Sequence, residues 1–425
     1  FLTQNQQVMK TTGDFKSKLF LLSMGILIIG IFWGCQEDPL QKNIDEFSAE
    51  KSAIMETVPM NGTLQSGALY EIVLPDFWNV LPQKVLMVYA HGYRDADKSV
   101  ILPEDIIPGI PIKDFILGQN MGYASTSYRE NGLVVLEGIQ DIVLLRTTIT
   151  NFFVTNPDYT PPEAIILVGP SEGGLITVLT IEQYPGLFNA AIATCCPIGN
   201  FYDQLQYYGD AHVLFKYFFG PSINGINLGS PKRISKNTIA AWENGSLQDA
   251  IVGVLQDDYL NNGGNKIMQF LNCANIPADL SDPEAVIRTI LEVMRFPITA
   301  TNDAIERLGG NPYNNKSPQR IYSGSENDRK LNLTIERIKR SDWEIAAKKV
   351  ADLFETSGVI FTPLVTMHTE YDHISFYGHQ TTYITKVNTN SPVPELLTHI
   401  PVLGRYGHCN FTTTELLVAI GSLNP

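Results

Sequence analysis

Hydrophobic and polar positions follow two rhythms along this chain, and the rhythms take turns. Apolar runs at Lys84-Val85-Leu86-Met87-Val88-Tyr89-Ala90, Gly122 to Tyr128, Ile165 to Val168 and Ala190 to Cys196 predict buried strands. Between them, apolar residues recur at helical spacing from Val134 to Val154, with Asp141 and Arg146 expected on the polar side, and from Leu175 to Ile181 before Pro185. Such alternation predicts an α/β fold, a mainly parallel sheet with helices on both faces.

From Ile198 to about Thr356 the strand rhythm disappears. Helical, aromatic-rich segments take over at Val213 to Phe219, Ile239 to Leu255 and Pro283 to Arg295. A turn-rich passage, Gly309-Gly310-Asn311-Pro312-Tyr313-Asn314-Asn315, precedes a charged helix through Ala351. Strands resume at Val359 to Met367 and near Ile400 to Leu403. The segmentation expected is therefore 67–197 and 357–425 as two parts of one core, with 198–356 as a helical insertion. Residues 35–66 are mostly polar, with an amphipathic stretch at 44–54, and are expected to be a tether or N-terminal helix, the strand-rich region beginning near Leu69.

The N-terminal 34 residues change the picture. Lys10, Lys16 and Lys18 precede an uncharged run from Leu19 to Trp33 and then Gly34-Cys35, the layout of a secretory signal. The segment is similar to the signals of bacterial lipoproteins, in which the cysteine after the cut is acylated; the resemblance makes 1–34 a signal peptide and Cys35 the lipidated residue. An exported, membrane-anchored protein is expected, with Met9 as a plausible initiator. The remaining Cys195, Cys196, Cys273 and Cys409 allow three pairings, and the sequence does not choose among them.

A formal charge of −14 disfavours nucleic acid and anionic membrane surfaces as partners and suits a small neutral or weakly charged substrate. The candidate chemistry begins at Gly169-Pro170-Ser171-Glu172-Gly173, where a buried strand runs into G-x-S-x-G and then a helix. That context raises a serine hydroxyl above a sheet, so Ser171 is the candidate nucleophile. A serine needs a base, and the base an orienting acid. His408, in Arg405-Tyr406-Gly407-His408-Cys409, is the candidate base. Asp372, just past a strand end in His368-Thr369-Glu370-Tyr371-Asp372-His373, is the candidate acid, with Glu370 its rival. The turn Tyr89-Ala90-His91-Gly92-Tyr93 offers the N–H of Tyr93, beside that of Glu172, to a developing oxyanion, with His91 as a structural ring.

The order oxyanion turn, Ser, Asp, His resembles the α/β-hydrolase superfamily over roughly 69–197 and 357–425. The resemblance implies a sheet of eight strands, a helical cap at about 198–356, and a serine hydrolase, most simply a carboxylic esterase acting on a small-molecule ester without cofactor or metal. Tannases and feruloyl esterases also carry a His-Cys pair, but bridge it to a cysteine directly before the serine; Pro170 stands there in this chain. Other readings remain open. His368, His373 and His379 with Glu370 and Asp372 could ligate a metal, although no H-E-x-x-H spacing exists. Asp257, Asp258, Glu284 and Glu292 could bind a substrate amine in an aminopeptidase of the same fold. A non-catalytic surface binding lipoprotein is the third reading.

Overall fold

The computed structural model describes residues 57–107, 109–223, 227–316, 320–339 and 342–423. Residues 1–34, expected to be a signal peptide, and Cys35 lie outside the described residues. Eight strands form the main sheet: β1 Thr57–Thr63, β2 Leu69–Pro75, β3 Val85–Tyr89, β4 Gly122–Thr126, β5 Ala164–Pro170, β6 Ala190–Thr194, β7 Leu364–Tyr371 and β8 Leu397–Tyr406. Their spatial order is β1-β2-β4-β3-β5-β6-β7-β8. The β1/β2 and β2/β4 pairs are antiparallel and every later pair is parallel. This is the α/β-hydrolase fold.

Alternation along the strands sends successive side chains to opposite faces. Leu86, Val88, Leu167 and Ala191 pack toward helices α2 Val135–Thr155 and α3 Ser171–Gln183, whereas Met87, Tyr89, Ile166 and Ile192 pack toward α1 Ile112–Gly118 and α13 Thr413–Gly421. The sheet is thus covered on both sides, which is why its central strands read as unbroken apolar runs. Among the described residues no helix is long and apolar enough to cross a membrane.

Between β6 and β7 the chain is helical: α4 Phe201–Phe219, α5 Lys236–Glu243, α6 Ser246–Asn262, α7 Asn265–Ala274, α8 Pro283–Thr299, α9 Thr301–Leu308, α10 Asp328–Thr334 and α11 Trp343–Leu353. Most of these helices enclose an apolar core of their own around Phe215, Phe219, Phe270 and Ile290, while Ala304, Leu308 and Val350 of α9 and α11 join the sheet's core. The expected Ile239 to Leu255 helix is two helices, α5 and α6, broken at Gly245, whose φ of +84° suits glycine.

Three expectations are corrected. Residues 57–63, assigned to the tether, form the edge strand β1, so the core sheet begins before residue 67. An edge strand carrying Pro59 and Asn61 has no apolar run to announce it. Asp141, expected on the polar side of α2, is fully buried because its carboxylate holds Arg129 through the side chain and the backbone N–H. Finally, β7 starts at Leu364 rather than Val359, after Gly358 at φ +76° and after Pro363. A proline lacks the N–H a central strand requires.

Candidate active site

Ser171 stands at the first position of α3, directly after β5, with φ +54°. That left-handed backbone, uncommon for serine, turns the strand sharply into the helix and leaves the side chain half-buried above the sheet edge. The turn has no room for extra atoms. A Cβ on Gly173 would collide with the carbonyl oxygens of Ala90 and His91, and one on Gly169 with the backbone of Gly173. Across this contact, a Cβ on Gly92 would lie 3.4 Å from that of Ser171, so the His91-Gly92-Tyr93 turn borders the serine.

His91 is buried, stacked on Tyr128, with Nδ1 2.7 Å from the carbonyl of Gly92 and Nε2 3.2 Å from that of Ser127. Burial, reinforced by the charge of Arg94, lowers its pKa to about 4. The ring is a structural pin held between two carbonyl groups. Glu172 is buried too: its Oε1 accepts the N–H of Val134, while Oε2 has no partner among the described residues. Burial pushes its carboxyl up to about 8, the Val134 hydrogen bond opposing. Tyr93 Oη is buried too, with no hydrogen-bond partner among the described residues.

At the carboxyl end of β7, Asp372 is fully buried. Its Oδ1 accepts the backbone N–H groups of Ile374 (2.8 Å) and Ser375 (2.9 Å), and its Oδ2 lies 2.8 Å from Nδ1 of His408. Burial opposes its ionisation, but the charge of His408 and the hydrogen bonds from His368 and His408 outweigh it, holding the carboxyl below the usual range. The rival Glu370 faces elsewhere and accepts the N–H of Gly404 at 2.8 Å. Geometry thus brings Asp372, and not Glu370, to His408.

His408 lies on the loop between β8 and α13. The end of that loop is fixed by a capping box at Thr412 and Glu415, and Glu415 also binds Arg405. Its beginning is fixed by Cys409, which forms a disulfide with Cys195. Cys195 follows Thr194, the residue paired with Pro170 across β5 and β6. The bridge therefore brings the His408 loop to the strand ends that flank Ser171. No hydrogen bond joins Ser171 Oγ to His408 among the described residues.

The helices between β6 and β7 grip the acid loop. Tyr207 Oη donates to the carbonyl of His373 (2.6 Å), and Gln204 Nε2 and Tyr208 Oη donate to that of Ile374. Glu292, on α8, meets Nε2 of His373, and that hydrogen bond lowers its pKa. Elsewhere Asp303 accepts the N–H of Leu133, and Arg307 binds Glu130 and the carbonyl of Asn131, so the Glu130 to Leu133 segment anchors the helices. Of the histidines proposed as metal ligands, His368 turns to Gln380 and Ser375, His373 to Glu292, and His379 to Gln204; they share no ligand set among the described residues.

Sequence reasoning missed Gln204, Tyr207, Tyr208 and Gln380, and named Glu292 only as one of four acids for a substrate amine, not as the partner of His373. Nothing local marks them, since each acquires its role from a partner at least a dozen and mostly more than eighty residues away.

No family model matches this chain. No curated protein matches it either. Among solved structures it is similar to an esterase from Aspergillus oryzae, at 14% identity and TM-score 0.47 over 85% of this chain and 82% of that one. It is similar to the rice cell wall degrading esterase from Xanthomonas oryzae, at 13% identity and TM-score 0.46 over 90% and 94%. It also overlaps 39% of the acylaminoacyl peptidase of Pyrococcus horikoshii with 86% of its own length, at 13% identity and TM-score 0.38. At these values the overlays assign neither a substrate nor a role to any residue.

Proposed function

We propose that this protein is a serine hydrolase that cleaves carboxylic esters, with Ser171, His408 and Asp372 as its triad. The observation that carries the reading is the 2.8 Å contact between Asp372 Oδ2 and His408 Nδ1, tied by the Cys195–Cys409 bridge to the strand ends beside Ser171. Asp372 is an acceptor at its Oδ2, so Nδ1 of His408 carries the proton and Nε2 is left as the base. His408 takes the hydroxyl proton as Ser171 Oγ attacks the ester carbonyl. The N–H groups of Tyr93 and Glu172, backed by the positive end of α3, hold the oxyanion. Collapse releases the alcohol, which receives the proton from His408, and leaves an acyl-serine. Water, deprotonated by His408, then attacks the acyl carbonyl and regenerates the hydroxyl.

A second reading, peptidase, has one specific observation in its favour. Of the four acids that could bind a substrate amine, Asp257 binds Asn261, Glu284 faces Arg288 at the surface and buried Asp258 accepts the N–H of Ile267. Glu292 alone reaches the acid loop, with its side chain half exposed and close enough to feel the charge of His408.

Export and lipid anchoring at Cys35 belong to the same proposal. A disulfide between Cys195 and Cys409 supports an oxidising compartment, since such bonds are rare in reducing ones. The test is a hydrolysis screen of p-nitrophenyl esters of rising chain length against aminoacyl p-nitroanilides, with Ser171→Ala alongside. Ester turnover that disappears in the variant is the expected result. Anilide turnover alone would replace the esterase by the peptidase, and turnover that survives Ser171→Ala would overturn both.

A further inference from the structure

The buried carboxylate of Asp372 has a second imidazole on the same oxygen. Nε2 of His368 lies 3.3 Å from Asp372 Oδ2 and 2.7 Å from the carbonyl of Ser375. Both neighbours are acceptors, so Nε2 of His368 must carry a proton and donate. The other ring nitrogen, Nδ1, lies 3.0 Å from Gln380 Nε2 on helix α12, Gly378–Asn390. In a neutral ring that nitrogen is a lone pair, and the Gln380 amide supplies the donor that fixes the tautomer. His368 and Gln380 are both fully buried. The chain of contacts runs from helix α12 to strand β7 to the acid loop to the base loop: Gln380, His368, Asp372, His408.

We propose that His368, oriented by Gln380, is a positioning residue for catalysis that acts through Asp372. This rests on the triad reading above. Alternation along β7 explains its place: Val365 and Met367 face α13, so Leu364, Thr366 and His368 face α12. Asp372 lies four positions after His368, and the chain bends so that the ring of His368 reaches its Oδ2. The backbone N–H groups of Ile374 and Ser375 hold Oδ1, and His368 holds Oδ2 beside His408. Without His368, Oδ2 would keep His408 as its only close donor among the described residues, and the carboxylate could rock about its Oδ1 contacts. Because His368 also binds the carbonyl of Ser375, it ties the loop that supplies one of the Oδ1 donors. An imidazole oriented this loosely would spend less time with Nε2 aimed at the serine.

The experiment compares kcat and KM of the full chain for a p-nitrophenyl ester in four forms: wild type, His368→Phe, Asp372→Asn and the double variant. Phenylalanine keeps a ring and removes both nitrogens. We expect kcat of His368→Phe to fall about 10–100-fold, as when an outer-shell partner of a catalytic group is lost, with KM changed by less than about threefold. In the Asp372→Asn background the same substitution should cost almost nothing more, because the group it acts through is gone. His368→Gln, which returns an N–H donor near the position of Nε2, should recover most of the loss. Unchanged kcat in His368→Phe, or the same loss in both backgrounds, would overturn the proposal. Should His368→Phe not yield folded protein, Gln380→Met in the same two backgrounds decides the question, with a smaller expected loss confined to the Asp372 background. Failure of the triad reading shows separately, as ester turnover that survives Ser171→Ala.

Discussion

Cys195 and Cys409 are bonded across 214 residues, joining the end of β6 to the loop that carries His408. Both residues sit in left-handed backbone, at φ +45° and +50°. A bridge closing so long a loop removes much freedom from the unfolded chain, and it also holds the candidate base. Replacing both cysteines by alanine should lower stability by about 2–5 kcal/mol in a denaturant titration. It should also reduce kcat more than it raises KM, and wild type treated with a reductant should show the same two changes.

Asp372 and Glu370 stand two residues apart but only the first reaches His408. Asp372→Asn should lower kcat by roughly 10³–10⁴-fold, since an amide favours the wrong imidazole tautomer. Glu370→Gln retains an acceptor for the N–H of Gly404 and should leave kcat within about threefold. Equal losses in steady-state assays would remove Asp372 from the role.

Glu172 gives a stability signature in pH. Its folded-state pKa is raised to about 8 by burial, against 4.5 for the ordinary group. The folded state therefore holds more protons than the unfolded one between those values, and stability should fall as pH rises through that window, levelling off above about 8. Glu172→Gln keeps the backbone N–H and the acceptor for Val134 while removing the titration. Denaturant midpoints measured from pH 5 to 9 should decline less steeply in the variant than in wild type.

Gly173 has its place because the chain passes too close for any side chain. A methyl group there would press on the carbonyl oxygens of Ala90 and His91, which are backbone and cannot swing away. Gly173→Ala should destabilise the protein by about 1–3 kcal/mol or more, as overpacking does, and should displace the His91 to Tyr93 turn. The expected result is a lower thermal midpoint together with a larger proportional loss of ester turnover than stability alone explains.

The α/β alternation was legible because central strands covered on both faces must be apolar throughout, as at Leu86 to Tyr89 and Ile165 to Val168. The places of Ser171, Asp372 and His408 just past strand ends were legible because a parallel sheet exposes its loops there, and because G-x-S-x-G encodes a backbone reversal that needs glycine for close approach; their roles stay a proposal. Edge strand β1 was not, since only one of its sides is paired and its composition is that of a loop. Asp141 was misplaced because a buried acid reads as a surface one until its partner, Arg129, is known.

What the sequence determined by itself is what local physics dictates: strand and helix rhythm, the turn at the serine, the order of the chemical groups. The choice of Asp372 over Glu370, the pairing of Cys195 with Cys409 out of three possibilities, and the meeting of His368 and Gln380 with the acid were decided only by the tertiary structure. Each depends on which way a side chain points after a strand ends and on which distant segment packs there, and hydrogen bonds of about 3 Å between residues far apart in sequence leave no periodic trace along the chain.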